Sequence, residues 1–346
     1  MNKIKENLEV LNKLFFYFLL FFLWNNEIIA QENKATDEFC KEVEKEFYPK
    51  NDLPTKTDFE ILKNCESRKL YYGIESKKNY TNARKCAYIE LNNPERNTNY
   101  IQGAVTLMMI YANGFEVSKN IKLAAHFACK IDDRYALEDR NRIDHLKFLL
   151  TNESTKVFDV CDHAMSGMMA GVCAEIQTDL SEQEIKVKIQ NLTKNWNYQE
   201  KNLFQKLENA FNHFIKNRYN ELELSGTARG EIALEEKERL QKLFYQSLLQ
   251  FEEGNLPNES KEEYIKTDKE LNEIYLRVIK QKIPVGTTYT KKGFISAERA
   301  WLKYRDALTQ FGTLKYPKTN PENWKNWETK NRIIQLKELL ENLKNR

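Results

Sequence analysis

Glycine and proline are scarce, 11 and 7 among 346 residues. Sheet proteins draw on both at their many turns, whereas Lys, Glu, Leu and Asn abound here, so the composition favours an all-α fold. An excess of one charge is also missing, because 54 Lys and Arg stand against 51 Asp and Glu for a net of +3. That surplus is too small and too evenly spread to recruit nucleic acid. The one long apolar run, Leu14–Trp24, has 11 residues, well short of the roughly 20 that span a bilayer. Histidine is limited to His126, His145, His163 and His213. No two have the helical i, i+4 spacing of a zinc site, and none joins cysteine at finger-like spacing, so no metal is expected. A P-loop, a dinucleotide-binding glycine pattern and a Gly-x-Ser-x-Gly elbow are all absent, which leaves no catalytic residue and no cofactor to assign.

What is present begins with Lys3, Lys5 and Lys13 ahead of the apolar run, then Asn25-Asn26-Glu27 and Ile28-Ile29-Ala30. A basic stretch, a short apolar stretch and a small residue form a secretory signal peptide, residues 1–30, cut after about Ala30. No cysteine follows closely enough for a lipoprotein, so the mature chain is expected to be periplasmic or secreted, without membrane contact. Its six cysteines, Cys40, Cys65, Cys86, Cys129, Cys161 and Cys173, all lie in the first half. An even count in an exported chain argues for disulfides. The expected pairs are Cys161–Cys173, Cys40–Cys65 and Cys86–Cys129. Cys161-Asp162-His163 has the residue types of a thiol nucleophile and base, but a pairing cysteine twelve residues on argues for a disulfide instead.

The clearest periodic stretch is Ala297–Ala307, where Ala297, Ala300, Trp301, Tyr304 and Leu308 make one apolar helical stripe. Upstream, Asp268–Ile279 carries a second stripe of Leu271, Ile274, Tyr275, Val278 and Ile279. Pro284-Val-Gly-Thr-Thr-Tyr289 supplies the breakers between them, and Gly312 and Pro317 are expected to stop the second helix. A last amphipathic helix spans 322–346, with Ile333, Ile334, Leu336, Leu339, Leu340 and Leu343 as its apolar positions.

Asp268, Leu271-Asn272 and Tyr275, followed by Ala300-Trp301-Leu-Lys-Tyr304-Arg305-Asp306, resemble the LprI-type lysozyme inhibitor family over about 260–315. The resemblance implies a non-enzymatic binding protein whose partner is a lysozyme or another muramidase. Trp301 and Tyr304 are expected in the core. Arg305, a planar group suited to clamping a carboxylate, faces away from the stripe with Lys303 and Asp306. Ninety residues earlier, Phe204, Leu207, Glu208, Ala210, Phe211 and Phe214 align with Phe294, Ala297, Glu298, Ala300, Trp301 and Tyr304. This reads as a degenerate copy at about 158–220, with tandem hairpins at 158–255 and 258–317. Glu208 and Glu298 lie beside the stripes and could serve as a pair, but only the abundance of carboxylates supports that.

Residues 65–131 resemble the SEL-like repeat, a relative of the tetratricopeptide repeat. Gly73, Asn79, Ala83 and Ala87 align with Gly114, Asn120, Ala124 and Ala128 at an offset of 41. The expected architecture is therefore a short disulfide-stapled helical-repeat stack at 31–152. A bundle of long amphipathic hairpins at 157–346 follows it. Such repeats imply protein contacts, so an envelope scaffold or adaptor is the alternative to a lysozyme inhibitor.

Overall fold

The computed structural model describes residues 31–93, 101, 103–131 and 137–345; the expected signal peptide lies outside them. Every regular element among the described residues is a helix, and the chain divides into two compact units between Met165 and Ser166.

The first unit opens with α1 (residues 31–43) and α2 (Lys56–Ile61). Two hairpins follow, α3 (Ser67–Tyr72) with α4 (Tyr80–Leu91) and α5 (Ala104–Asn113) with α6 (Ile121–Ala128), then α7 (Leu137–Leu149). Helix α5 is apolar all round and buried from Ala104 to Ala112, which makes it the centre of this unit. The two hairpins turn alike. Gly73 and Gly114 end α3 and α5 in the left-handed region, at φ 81° and 70°, where a side chain would be strained. Asn79 N–H then donates to the Leu70 carbonyl and Asn120 N–H to the Tyr111 carbonyl, both at 3.0 Å. Each asparagine caps the next helix through its side chain.

Glu90, fully buried on α4, accepts from the Ser67 N–H (2.9 Å) and hydroxyl (2.6 Å) and from the Gly103 N–H (2.9 Å). It thereby serves the starts of α3 and α5, neither of which has a side-chain cap of its own.

Two expected disulfides are corrected here: Cys40 pairs with Cys129, and Cys65 with Cys86. The reason is packing. The Val43 carbonyl lies 2.9 Å from His126 Nδ1, so α1 runs beside α6 and brings Cys40 to Cys129 at its end. Cys161 and Cys173 are disulfide-bonded as well, which removes the thiol that a nucleophile would need. Phe158 exchanges backbone hydrogen bonds with the Asn113 side chain, and Asp159 accepts from the Tyr72 hydroxyl, so this stretch folds with the first unit.

Among its described residues the second unit contains six α-helices: α8 (Gly167–Leu192), α9 (Tyr198–Arg218), α10 (Arg229–Glu252), α11 (Lys261–Lys280), α12 (Lys291–Lys315) and α13 (Pro321–Lys344). They form two similar trios. Helices α8 and α10 pack in parallel, with Gly171 against Gly230 and Glu182 against Gln241; α11 and α13 also run parallel, with Glu263 against Lys330 and Glu270 against Lys337. The middle helices α9 and α12 pack antiparallel through Phe204–Phe311 and Phe211–Tyr304, ring centroids 5.6 and 5.1 Å apart. Gly312 does not end its helix, which runs on to Lys315. It is there because Trp324 lies on it: a Cβ at Gly312 would sit 2.4 Å from the indole.

Candidate functional site

The α12 stripe is core. Ala297, Ala300, Trp301, Tyr304 and Leu308 are all buried, as are Leu271, Ile274 and Val278 of α11, with Tyr275 and Ile279 at the edge. The Trp301 Nε1–H donates to Glu328 Oε1 of α13 at 3.0 Å. Ile334 departs from expectation by lying exposed. Its place on the buried side is taken by Arg332, which has no accessible surface at all.

Arg332 is the hub of an ionic chain that the sequence reading missed. Its Nε and Nη2 donate to Glu298 at 3.0 Å, its Nη1 and Nη2 to Glu221 at 2.8 and 2.5 Å, and Nη1 also to Gln335 at 3.1 Å. The guanidinium lies over both the Phe214 and Trp301 rings, 5.6 and 5.9 Å from their centroids. Glu221 accepts further from Arg218, which reaches Glu236, which in turn holds Arg239. Burial pushes the Glu221 carboxyl up, but Arg332 and Arg218 outweigh it and hold the group below its usual range. Burial dominates at Glu298, which is raised despite Arg332. Glu328 is pushed up to about 7 by burial, with the bonds from Trp301 and Asn331 opposing.

The polar members of the motif gather on the outer side of α11 and α12. Arg305 lies over the Trp301 ring, 5.0 Å from its centroid, with Nη1 3.5 Å from Asp268 and Nε 3.8 Å from Asp306. Asn272 Nδ2 donates to the carbonyl and carboxylate of Asp268 at 2.7 and 3.2 Å. Arg305 therefore ties α12 to α11, whereas Asp306 and Lys303 stand in solvent.

Glu208 and Glu298 are not a pair. Glu298 has Arg332, whereas Glu208 faces a groove of about 940 Å³ between α9 and the α8–α10 pair. Burial raises its carboxyl, and no described residue bonds to it. In the first unit His145 meets His163, the histidine of the Cys161-Asp162-His163 run, at 3.0 Å between Nδ1 and Nε2. No cluster of three or more His, Cys, Asp or Glu suited to a metal occurs among the described residues. Nor, among them, is any helix long and apolar enough to cross a membrane.

The second unit is thus a helical scaffold whose aromatic and ionic residues hold helices together, with polar faces left outward. Residues 256–346, which are α11 to α13, match the family described as "Lysozyme inhibitor LprI". The matched helices, similar to that family, make up about a quarter of the chain (91 of 346 residues). The match leaves out residues 65–131, so the SEL-like resemblance rests on the hairpin sequence alone. No curated protein and no solved structure matches the chain.

Proposed function

We propose that the chain is an exported, non-enzymatic binding protein that inhibits a muramidase through its LprI-type domain. The family match over 256–346 carries this reading. The disulfides suit an oxidising compartment outside the cytosol. Muramidases cleave with two carboxylates in a cleft, so inhibition requires a helix end or loop that blocks it. The residues left for such contact are those the bundle does not consume, Lys303 and Asp306 on α12 and the α11–α12 turn with its exposed Val285. The similar trio α8–α10 is read as a degenerate tandem copy of the domain. The direct experiment titrates the mature protein into muramidases of several classes. Hydrolysis should fall at stoichiometric inhibitor for at least one class, and undiminished hydrolysis at large excess throughout would end the proposal.

The like turns of α3–α4 and α5–α6 favour a second reading, an envelope adaptor that docks through a SEL-like hairpin stack. Recovery of defined envelope proteins on the full chain, with no muramidase among them, would favour it.

A further inference from the structure

The two middle helices carry the same buried pattern, Phe204, Leu207, Phe211 and Phe214 on α9 and Phe294, Ala297, Trp301 and Tyr304 on α12. Each places a glutamate at the same point of that pattern, Glu208 and Glu298. Only Glu298 has a cation. Arg332 of α13 meets it with two donors and lies over the Phe214 and Trp301 rings. In the other trio, α10 turns Leu240 inward and Gln241 to the groove, and Gln241 is bonded to Glu182. Helices α9 and α10 touch through the stacked rings of Phe211 and Phe244, 4.4 Å apart, and the groove opens beside them.

We propose that this groove binds an arginine side chain of a partner protein, with Glu208 accepting the guanidinium and the nearly buried Phe211 and Phe244 rings walling the groove beside it. The C-terminal trio shows the completed form of the same arrangement within one chain. Glu208 is the one carboxylate of the lining left without a partner, and a half-buried carboxylate gains most from a charged, multiply donating group. Arginine fits better than lysine because its planar, weakly hydrated head can donate two parallel hydrogen bonds to one carboxylate. The lysines of the lining do not block the site. Lys237 is paired with Glu182 at 2.6 Å, Lys201 donates to the Lys194 carbonyl, and Lys186 and Lys216 stand on the exposed rim, where salt screens them over roughly 10 Å. The inference rests on the reading of the chain as a protein-binding protein and specifies chemistry on the partner's side.

The test titrates the full-length mature chain by calorimetry with a capped Leu-Arg-Phe tripeptide and with its citrulline counterpart, which keeps the shape and loses the charge. Saturable binding should weaken roughly tenfold or more with citrulline, and as much in Glu208→Gln, as loss of a charged hydrogen bond requires. Equal binding of the two peptides, no saturation at the solubility limit, or a preference for decanoate would each overturn the proposal. If Glu208→Gln misfolds, the peptide comparison on the unaltered chain still decides. Muramidase inhibition is assayed separately. Inhibition unchanged in a folded Glu208→Gln would retire the groove and spare the inhibitor reading, whereas arginine-selective binding without inhibition would do the reverse.

Discussion

Replacing Glu328 by glutamine should remove most of the pH dependence that this carboxyl gives the second unit. Glu328 is buried, and its proton is held up to about 7 from an ordinary value of 4.5. In the native state it therefore keeps a proton that the unfolded chain has released between those values. The stabilisation is fully present below about 4.5, declines as pH rises, and is gone above about 7. A displacement of about 2.5 units at 1.36 kcal/mol each is worth about 3 kcal/mol. Glutamine keeps an oxygen for the Trp301 Nε1–H and cannot ionise. Glu328→Gln should match the parent near pH 4.5 and exceed it by about 3 kcal/mol at pH 8, or by ~6–12 °C in melting temperature for a unit of this size. Urea unfolding followed by tryptophan fluorescence at intervals from pH 4 to 8 measures the difference. Other carboxyls, Glu298 among them, titrate in both proteins and cancel. Parallel stability curves for the two proteins would refute the reasoning, because Glu328 would then be ionised and stabilised by groups not credited here.

Arg332→Ala should cost about 3–5 kcal/mol in urea unfolding, since it leaves Glu298 without its cation and Glu221 with Arg218 alone in the core. Asp268→Asn should cost less than about 1 kcal/mol and lose that effect in concentrated salt, because the pair with Arg305 is long and Asp268 is 40% exposed. Serine at Cys40 and Cys129 should destabilise the first unit by about 4–5 kcal/mol, against about 3 for Cys65 and Cys86. The first pair closes a separation of 89 residues and the second one of 21, which thermal unfolding of the two double variants compares.

Local periodicity made the helices legible. The stripes of α11 and α12 were readable because burial repeats every three or four residues. Contacts across the fold were not readable in the same way. Gly312 looked like a stop, but its cause is Trp324, a neighbour on another helix. Arg332 sits where amphipathic logic expects an apolar residue, and that logic assigns arginine to solvent; only its register with Leu336 and Leu340 marked it as inward. The cysteine pairs were assigned to neighbours in sequence, whereas α1 lies beside α6 and not beside the segment that follows it. The polar motif was half legible. Arg305 reaches a carboxylate as its shape suggests, and the partner turned out to be Asp268 of the same motif.

Glu90 has a consequence for how the first unit comes apart. Stacked hairpins can fray one at a time, because each helix pair needs only its immediate neighbour. Here a single carboxylate on α4 holds the opening turns of α3 and α5, one in each hairpin. Opening of α4 takes the acceptor from both starts at once. Fraying from one end is thereby replaced by opening of both hairpins in one step, so the amides of Ser67 and Gly103 should exchange with solvent at a common rate.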